Sequence, residues 1–175
     1  MNRPHPKSPR TLDEFMVQAY WLEQDAVERY STFADAMEVH NNREVAAMFR
    51  TMAGYEAKHA ARIMEQMGWT EAPRLSRQQL VWPGFDAPEA PPIDEVHYLM
   101  QPWHALQLAL AAEQRAEAFF DELARRAGTD DVRRAALEMK AEEAEHVELV
   151  KAWMAKVPHP EGDWSEDPDP PRHVD

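Results

Sequence analysis

Along four stretches of the chain the apolar residues return at steps of three, four and seven, the spacing that puts them on one face of an α-helix. The first helix is expected to begin at Thr11, whose hydroxyl can cap it while Glu14 closes a capping box, and to run to about Val39. Asn41-Asn42 supplies a turn, and a second helix runs from about Arg43 to Gly68, where a glycine stands just past the last periodic residue. A third opens with Pro102 in its first turn and ends near Gly128, and a fourth begins at Thr129 or Asp130 and stops before Pro158. Four helices of about 26 residues would each be about 40 Å long. Residues 69–101 carry Pro73, Pro83, Pro88, Pro91 and Pro92, so they cannot form one continuous helix and are expected to be a linker within the domain. At roughly 3.3 Å per residue such a linker can traverse a whole bundle. Short turns join helix one to two and three to four, which predicts an all-α antiparallel four-helix bundle made of two helical hairpins joined by a long crossover linker.

Composition agrees and removes several function classes. The chain has 175 residues, 44% of them hydrophobic, enough for one domain with a real core, and only 5 glycines. Residues 1–10 hold three prolines and almost nothing apolar, and 158–175 hold five prolines among acids, so both are expected to be disordered tails around a bundle at 11–157. The net charge is -13 with no basic stripe, which argues against nucleic acid as a partner. About 5 of those charges belong to the C-terminal tail. There is no cysteine, so disulfides, thiolate nucleophiles and Cys-ligated metals are excluded. No stretch reaches the roughly 18 apolar residues of a spanning helix, and the first residues lack an apolar run, so no membrane association and a cytoplasmic location are expected.

The candidate chemistry lies in a repeat. Glu56-Ala-Lys-His59 and Glu143-Ala-Glu-His146 each place a Glu three residues before a His, and Glu23 and Glu113 precede them by 33 and 30 residues. Helix three lies on helix one at an offset of 90, pairing Ala19 with Ala109, Glu23 with Glu113, Ala26 with Ala116, Tyr30 with Phe120 and Phe33 with Leu123. Helix four lies on helix two at an offset of 87, pairing Met52 with Met139, Glu56 with Glu143, His59 with His146 and Ile63 with Val150. The offsets differ by three residues, and that difference must fall in the turns, because three residues inserted within a helix would rotate its face by about 60°. A pseudo-twofold bundle follows.

With 8 histidines, about one Glu-x-x-His is expected by chance, so either motif alone is weak. Two of them on apolar stripes, each with an inward Glu upstream, are a different matter. Four buried carboxylates without compensation would repel one another and be desolvated at several kcal/mol each, so they must take up protons or bind cations. Two divalent metals balance four carboxylates while both histidines stay neutral.

These residues resemble the ferritin-like di-iron carboxylate family, and most closely the diiron domain of rubrerythrins. The resemblance covers about residues 12–156 and includes Tyr30, seven residues after Glu23. It implies that Glu23 and Glu113 are terminal ligands, that Glu56 and Glu143 bridge, and that His59 and His146 each bind one metal. The implied cofactor is two iron ions, with manganese or zinc as substitutes for an oxygen and imidazole ligand set. A helical side chain leans toward its own N-terminus, so Tyr30 can aim its hydroxyl back at the site as a hydrogen-bond donor, which Phe120 cannot do. Rubrerythrins carry a further Glu three residues after the third-helix ligand; here that residue is Ala116, and Glu117 one position later is a possible ligand. They also carry a Cys-ligated iron domain, so in this chain a separate electron donor is required. The resemblance implies an oxidoreductase that reduces hydrogen peroxide or O2, and a homodimer. A ferroxidase in iron handling and a non-enzymatic metal-binding or structural bundle are the alternatives.

Other features read as scaffold. The methionines at helical spacing, such as Met48, Met52, Met64 and Met139, are core filler. His97 and His104 lie outside the repeat and are expected in the linker or at the surface. Glu138, Glu142, Glu145 and Glu148 are expected to be solvated, and Trp69 and Trp82 to pin the linker to the bundle.

Overall fold

A computed structural model describes residues 9–75 and 99–161. Four helices follow one another, α1 (Leu12–Val39), α2 (Arg43–Met67), α3 (Pro102–Arg126) and α4 (Asp130–Met154). Residues 1–8 and 162–175 of the expected tails, and the middle of the linker with His97 and Trp82, lie outside the described residues. None of the described helices is long and apolar enough to cross a membrane.

Local chemistry sets the helix ends. Thr11 caps α1 by accepting from the Glu14 amide at 3.2 Å, while the Glu14 carboxylate accepts from the Arg10 amide at 2.8 Å, one residue before the cap. Asn41 turns the chain with φ at 60°, a left-handed conformation that asparagine tolerates better than most residues. Asn42 then caps α2 through the Val45 amide. Gly68 ends that helix at φ 64°, and the Trp69 amide bonds back to the Met64 carbonyl at 2.9 Å. Thr129 caps α4 through the Val132 amide. Helix α3 stops at Arg126, short of Gly128, which is not in the left-handed region.

Two expectations change here. His104 is buried, 3% exposed, and its Nδ1 accepts from the Gln101 amide at 3.1 Å, so it caps α3 from inside the first turn and is not a surface residue. Glu142 is half-buried and ion-paired with Arg62, while Glu138, Glu145 and Glu148 are exposed as expected. The linker's first residues are held as anticipated: Trp69 packs edge-on against Tyr20, and Trp21 Nε1 donates to the Pro73 carbonyl at 3.0 Å.

Helix α1 packs chiefly on α2 and α3 on α4, with smaller contacts between α2 and α3 and between α1 and α4. Contacts that run in opposite directions along each pair make both hairpins antiparallel. Tyr20 meets Trp69 while Asp35 meets Arg50, and Trp103 meets His159 while Asp121 meets Lys140. The apolar side chains form two clusters. One joins Phe15, Leu22, Ile63, Phe120, Val132 and Met139, and the other joins Tyr30, Phe33, Phe49, Met52, Met100 and Val150. Trp69 packs on the first and Met100 belongs to the second, so the chain leaves one end of the bundle and re-enters at the other, as a crossover requires.

Asn42 also donates through Nδ2 to the Met100 carbonyl at 2.7 Å, tying the α1–α2 turn to the entry of α3. Replacing it therefore removes a helix cap and a contact between the two hairpins. Asn42→Ala is expected to lower stability by about 2 kcal/mol, measured by urea unfolding, whereas Asn41→Gly, which relieves a left-handed side chain, should leave the midpoint unchanged or raise it.

Candidate metal centre

Between the two apolar clusters lies a layer of ionisable groups. Helix α1 contributes Glu23, α2 contributes Glu56 and His59, α3 contributes Glu113, and α4 contributes Glu143 and His146. All four glutamates are completely buried, and the two imidazoles are nearly so. The side chains arrive there because each is spaced by three, four or seven residues from the apolar positions of its own helix, such as Ala19 and Ala26 around Glu23.

The six residues form three overlapping groups able to hold a cation: Glu23, His59 and Glu143; Glu113, Glu143 and His146; and Glu56, His59 and His146. Within each group the donor atoms lie within 4.8 Å of one another. Glu143 is shared by two groups that hold different histidines, and Glu56 faces both imidazoles. His59 Nδ1 stands 3.6 Å from Glu23 and 3.9 Å from Glu56. His146 Nδ1 stands 3.2 Å from Glu113, 3.7 Å from Glu56 and 3.9 Å from Glu143. The rings stack 4.6 Å apart and only 10° from parallel. Glu117 is half-buried and joins none of these groups.

The tyrosine expected to donate into the site does so, but across the bundle. Tyr30 on α1 is fully buried, and its hydroxyl donates to Glu113 Oε1 on α3 at 3.2 Å, while His146 Nδ1 faces the other oxygen of the same carboxylate. Glu113 is thus oriented from both sides. Ala116, one turn on, is fully buried and offers no donor, and Phe120 packs edge-on against Phe15.

The electrostatics fit a cation. Both oxygens of Glu23, both oxygens of Glu56 and the Nδ1 of His59 are buried and receive no hydrogen bond, a cost of several kcal/mol if charge stays uncompensated. Burial, then the charges of Glu143 and Glu113, push the Glu23 carboxyl well above its ordinary range; only a Glu56 that kept its own proton could donate to it and offset part of that rise. Burial, then Glu113 and Glu23, do the same to Glu56. His59 is pulled down from 6.5 to about 3 by burial, then by His146 and Arg62, and so stays neutral as a metal ligand must. A neutral His59 beside two carboxylates, Glu23 and Glu56, that resist ionising alone belongs to a donor set for divalent metal.

These shifts have signs that can be measured without metal. Glu23 and Glu56 hold protons more tightly in the folded state, so their contribution is fully present below the ordinary carboxylate value and is lost as pH rises through the raised one. His59 acts oppositely: its contribution is present above 6.5 and is lost as pH falls toward about 3. Metal-free Glu23→Gln, Glu56→Gln protein is expected to be more stable at neutral pH than the metal-free parent by about 1–4 kcal/mol. It should also lose the alkaline decline, and divalent metal should no longer raise its melting temperature. A lower metal-free stability would show that these carboxylates serve the fold.

Comparison with known proteins supplies a family. The family model described as Rubrerythrin matches residues 14–90, which include Glu23, Tyr30, Glu56 and His59. The crystal structure of an uncharacterized conserved protein from Magnetospirillum magnetotacticum MS-1 is 38% identical and covers 87% of this chain and 99% of its own, with a TM-score of 0.64. No curated protein matches. Identity at that level over nearly the whole of the relative, with the family model on the first hairpin and a mixed Glu/His layer between two hairpins, makes the chain a member of the rubrerythrin family with a ferritin-like four-helix domain.

Proposed function

We propose that this protein is a non-haem di-iron oxidoreductase that reduces hydrogen peroxide or O2 to water. The observation that carries the reading is the buried layer itself, in which Glu23 and Glu56 point oxygens without hydrogen-bond donors into a space flanked by the imidazoles of His59 and His146. Glu23 and His59 would hold one iron, Glu113 and His146 the other, and Glu56 and Glu143 would lie between them. The irons, when bound, supply electrons to the O–O bond.

The chain's own residues supply orientation, dryness and a proton donor. The Tyr30 hydroxyl and the His146 ring fix the Glu113 carboxylate from opposite sides, so its two oxygens are not equivalent. Tyr30 is itself wedged against Phe49, which tilts against Phe33, and this buried aromatic wall keeps water from that side of the layer. The Tyr30 O–H is a donor already aimed at the layer, and no equivalent exists at Phe120 in the other half. Reduction of one peroxide consumes two electrons and two protons and yields two waters. With no cysteine in the chain, both electrons come from a separate donor.

Anaerobic purification with iron is expected to give about two irons per chain, and Glu56→Ala, Glu143→Ala protein less than one; a parent below about one would remove the di-iron reading. The reduced protein should be oxidised by stoichiometric peroxide much faster than by air. Equal rates would remove the peroxidase reading, and many irons oxidised per chain would turn it toward a ferroxidase. Tyr30→Phe should keep its iron while slowing the peroxide reaction by about 10–100-fold, read by stopped-flow absorbance.

A further inference from the structure

Aromatic rings lead away from the candidate metal centre in two directions, and the two differ in chemistry. On one side Tyr30, Phe49 and Phe33 stack into the buried core and end there. On the other, the Tyr55 ring lies 5.7 Å from the His146 ring, and Trp153 lies 6.2 Å beyond Tyr55, centroid to centroid. Tyr55 and Trp153 are both partly exposed. Trp153 lines a surface cavity of about 330 Å³ with Ala47, Met48, Thr51, Lys156 and Val157. A file of three rings therefore joins a candidate iron ligand to solvent.

The internal repeat shows that this file is not a by-product of bundle packing. At the offset that maps His59 onto His146, Tyr55 corresponds to Glu142 and Trp153 to Gln66. Glu142 is occupied with Arg62 on the outside of the bundle. The side of the layer around His146 is thus flanked by two side chains that can lose a single electron, Tyr55 on α2 and Trp153 on α4, and the equivalent positions around His59 carry none.

The geometry points to a one-electron relay, in which Tyr55 and Trp153 carry peroxide-derived oxidising equivalents from the metal centre to the surface when no donor reduces the centre directly. This inference rests on the redox reading of the site given above. In the first step Tyr55 would give one electron toward the peroxide-derived oxidant held at the layer and its phenolic proton to water, leaving a neutral phenoxyl radical. Lys58 Nζ sits 5.3 Å from the centre of the Tyr55 ring, and an ammonium there opposes any positive charge left on the ring, so electron and proton leave together. In the second step Trp153 gives an electron to the Tyr55 radical, which recovers a proton from water. In the third, a small phenol- or hydroquinone-class reductant at the apolar cavity gives one electron and returns Trp153 to its resting state. One reductant molecule is oxidised by one electron for each equivalent removed from the centre, and the protein is unchanged.

Two measurements test the relay, one with iron and one without. Iron-loaded protein treated with excess peroxide and no reductant should accumulate oxidised Trp153, located by peptide mass spectrometry, in preference to Trp21, Trp69 and Trp103. Tyr55→Phe should reduce the oxidation of Trp153 severalfold at unchanged iron content and leave the other tryptophans as they were. Oxidation of Trp153 that is unaffected by Tyr55→Phe, or no greater than that of the other tryptophans, would overturn the relay. Metal-free Tyr20→Phe protein, which lacks the contacts of Tyr20 with Trp21 and Trp69, oxidised by one electron with a photochemical oxidant, should show exchange of the radical between tryptophan and tyrosine that is lost on adding either Tyr55→Phe or Trp153→Phe. Its persistence in both would overturn the relay independently. A chain that binds no iron would instead remove the function proposed above, while the metal-free measurement still decides whether the two rings exchange an electron.

Discussion

Four carboxylates buried in one layer are the constraint around which the rest of this molecule is arranged. Two unit charges 4 Å apart at an effective dielectric of about 20 interact by about 4 kcal/mol, and a whole domain is stable by only about 5–15 kcal/mol. Glu23, Glu56, Glu113 and Glu143 could not all be ionised there unless something compensated them. The layer is therefore always in one of two conditions, protonated or filled with cations. Each requires long helices held rigidly on both sides, which is what the two apolar clusters provide. The cluster around Phe15 and Phe120 and the cluster around Tyr30 and Phe49 act as clamps above and below the charged groups.

Much of this was legible in the sequence, for a specific reason. Helical periodicity and capping are local, so Thr11, Asn42, Gly68 and Thr129 announced their helix ends without any knowledge of the partner hairpin. The layer was legible because the repeat wrote it twice, and two copies on apolar stripes constrain one another. What sequence could not supply were contacts fixed only by tertiary packing. His104 looked like a linker histidine because nothing local shows that its ring turns back to cap α3 in the dry interior. Tyr30 was expected to serve the site, but the carboxylate it meets lies on α3, not on its own helix, since the crossing of two helices decides which oxygen is within reach. Tyr55 and Trp153 gave no signal at all. Their spacing of nearly a hundred residues becomes a ring contact only when α2 and α4 lie side by side.

The repeat and its exceptions do different work. Residues that match across the offset, the glutamates, the histidines and the small alanines between them, build a symmetric receptacle. A receptacle of that kind binds metal but does not distinguish one ion from the other. Direction comes from the mismatches. Tyr30 opposite Phe120 gives Glu113 a hydrogen-bond donor. Ala116 leaves a buried wall where rubrerythrins have a further carboxylate. Tyr55 opposite Glu142 puts an aromatic contact beside His146 and an outer ion pair with Arg62 at the equivalent position beside His59.

Those three mismatches are consistent with one another in a way that chance placement would not require. Tyr30 holds Glu113, Glu113 faces His146, and His146 carries the contact with Tyr55, so hydrogen bonding and ring packing converge on the α3–α4 half of the layer. The α1–α2 half, with Glu23 and His59, has no such attachments beyond its own neighbours. Under the redox reading proposed above, a hydroxyl donor and a ring contact gathered on one side suit a reaction that moves both protons and electrons, because both would then be exchanged at the same metal. A bundle that only stored or sequestered metal would gain nothing from the bias, since filling the layer asks merely for charge balance, and the symmetric residues already supply that.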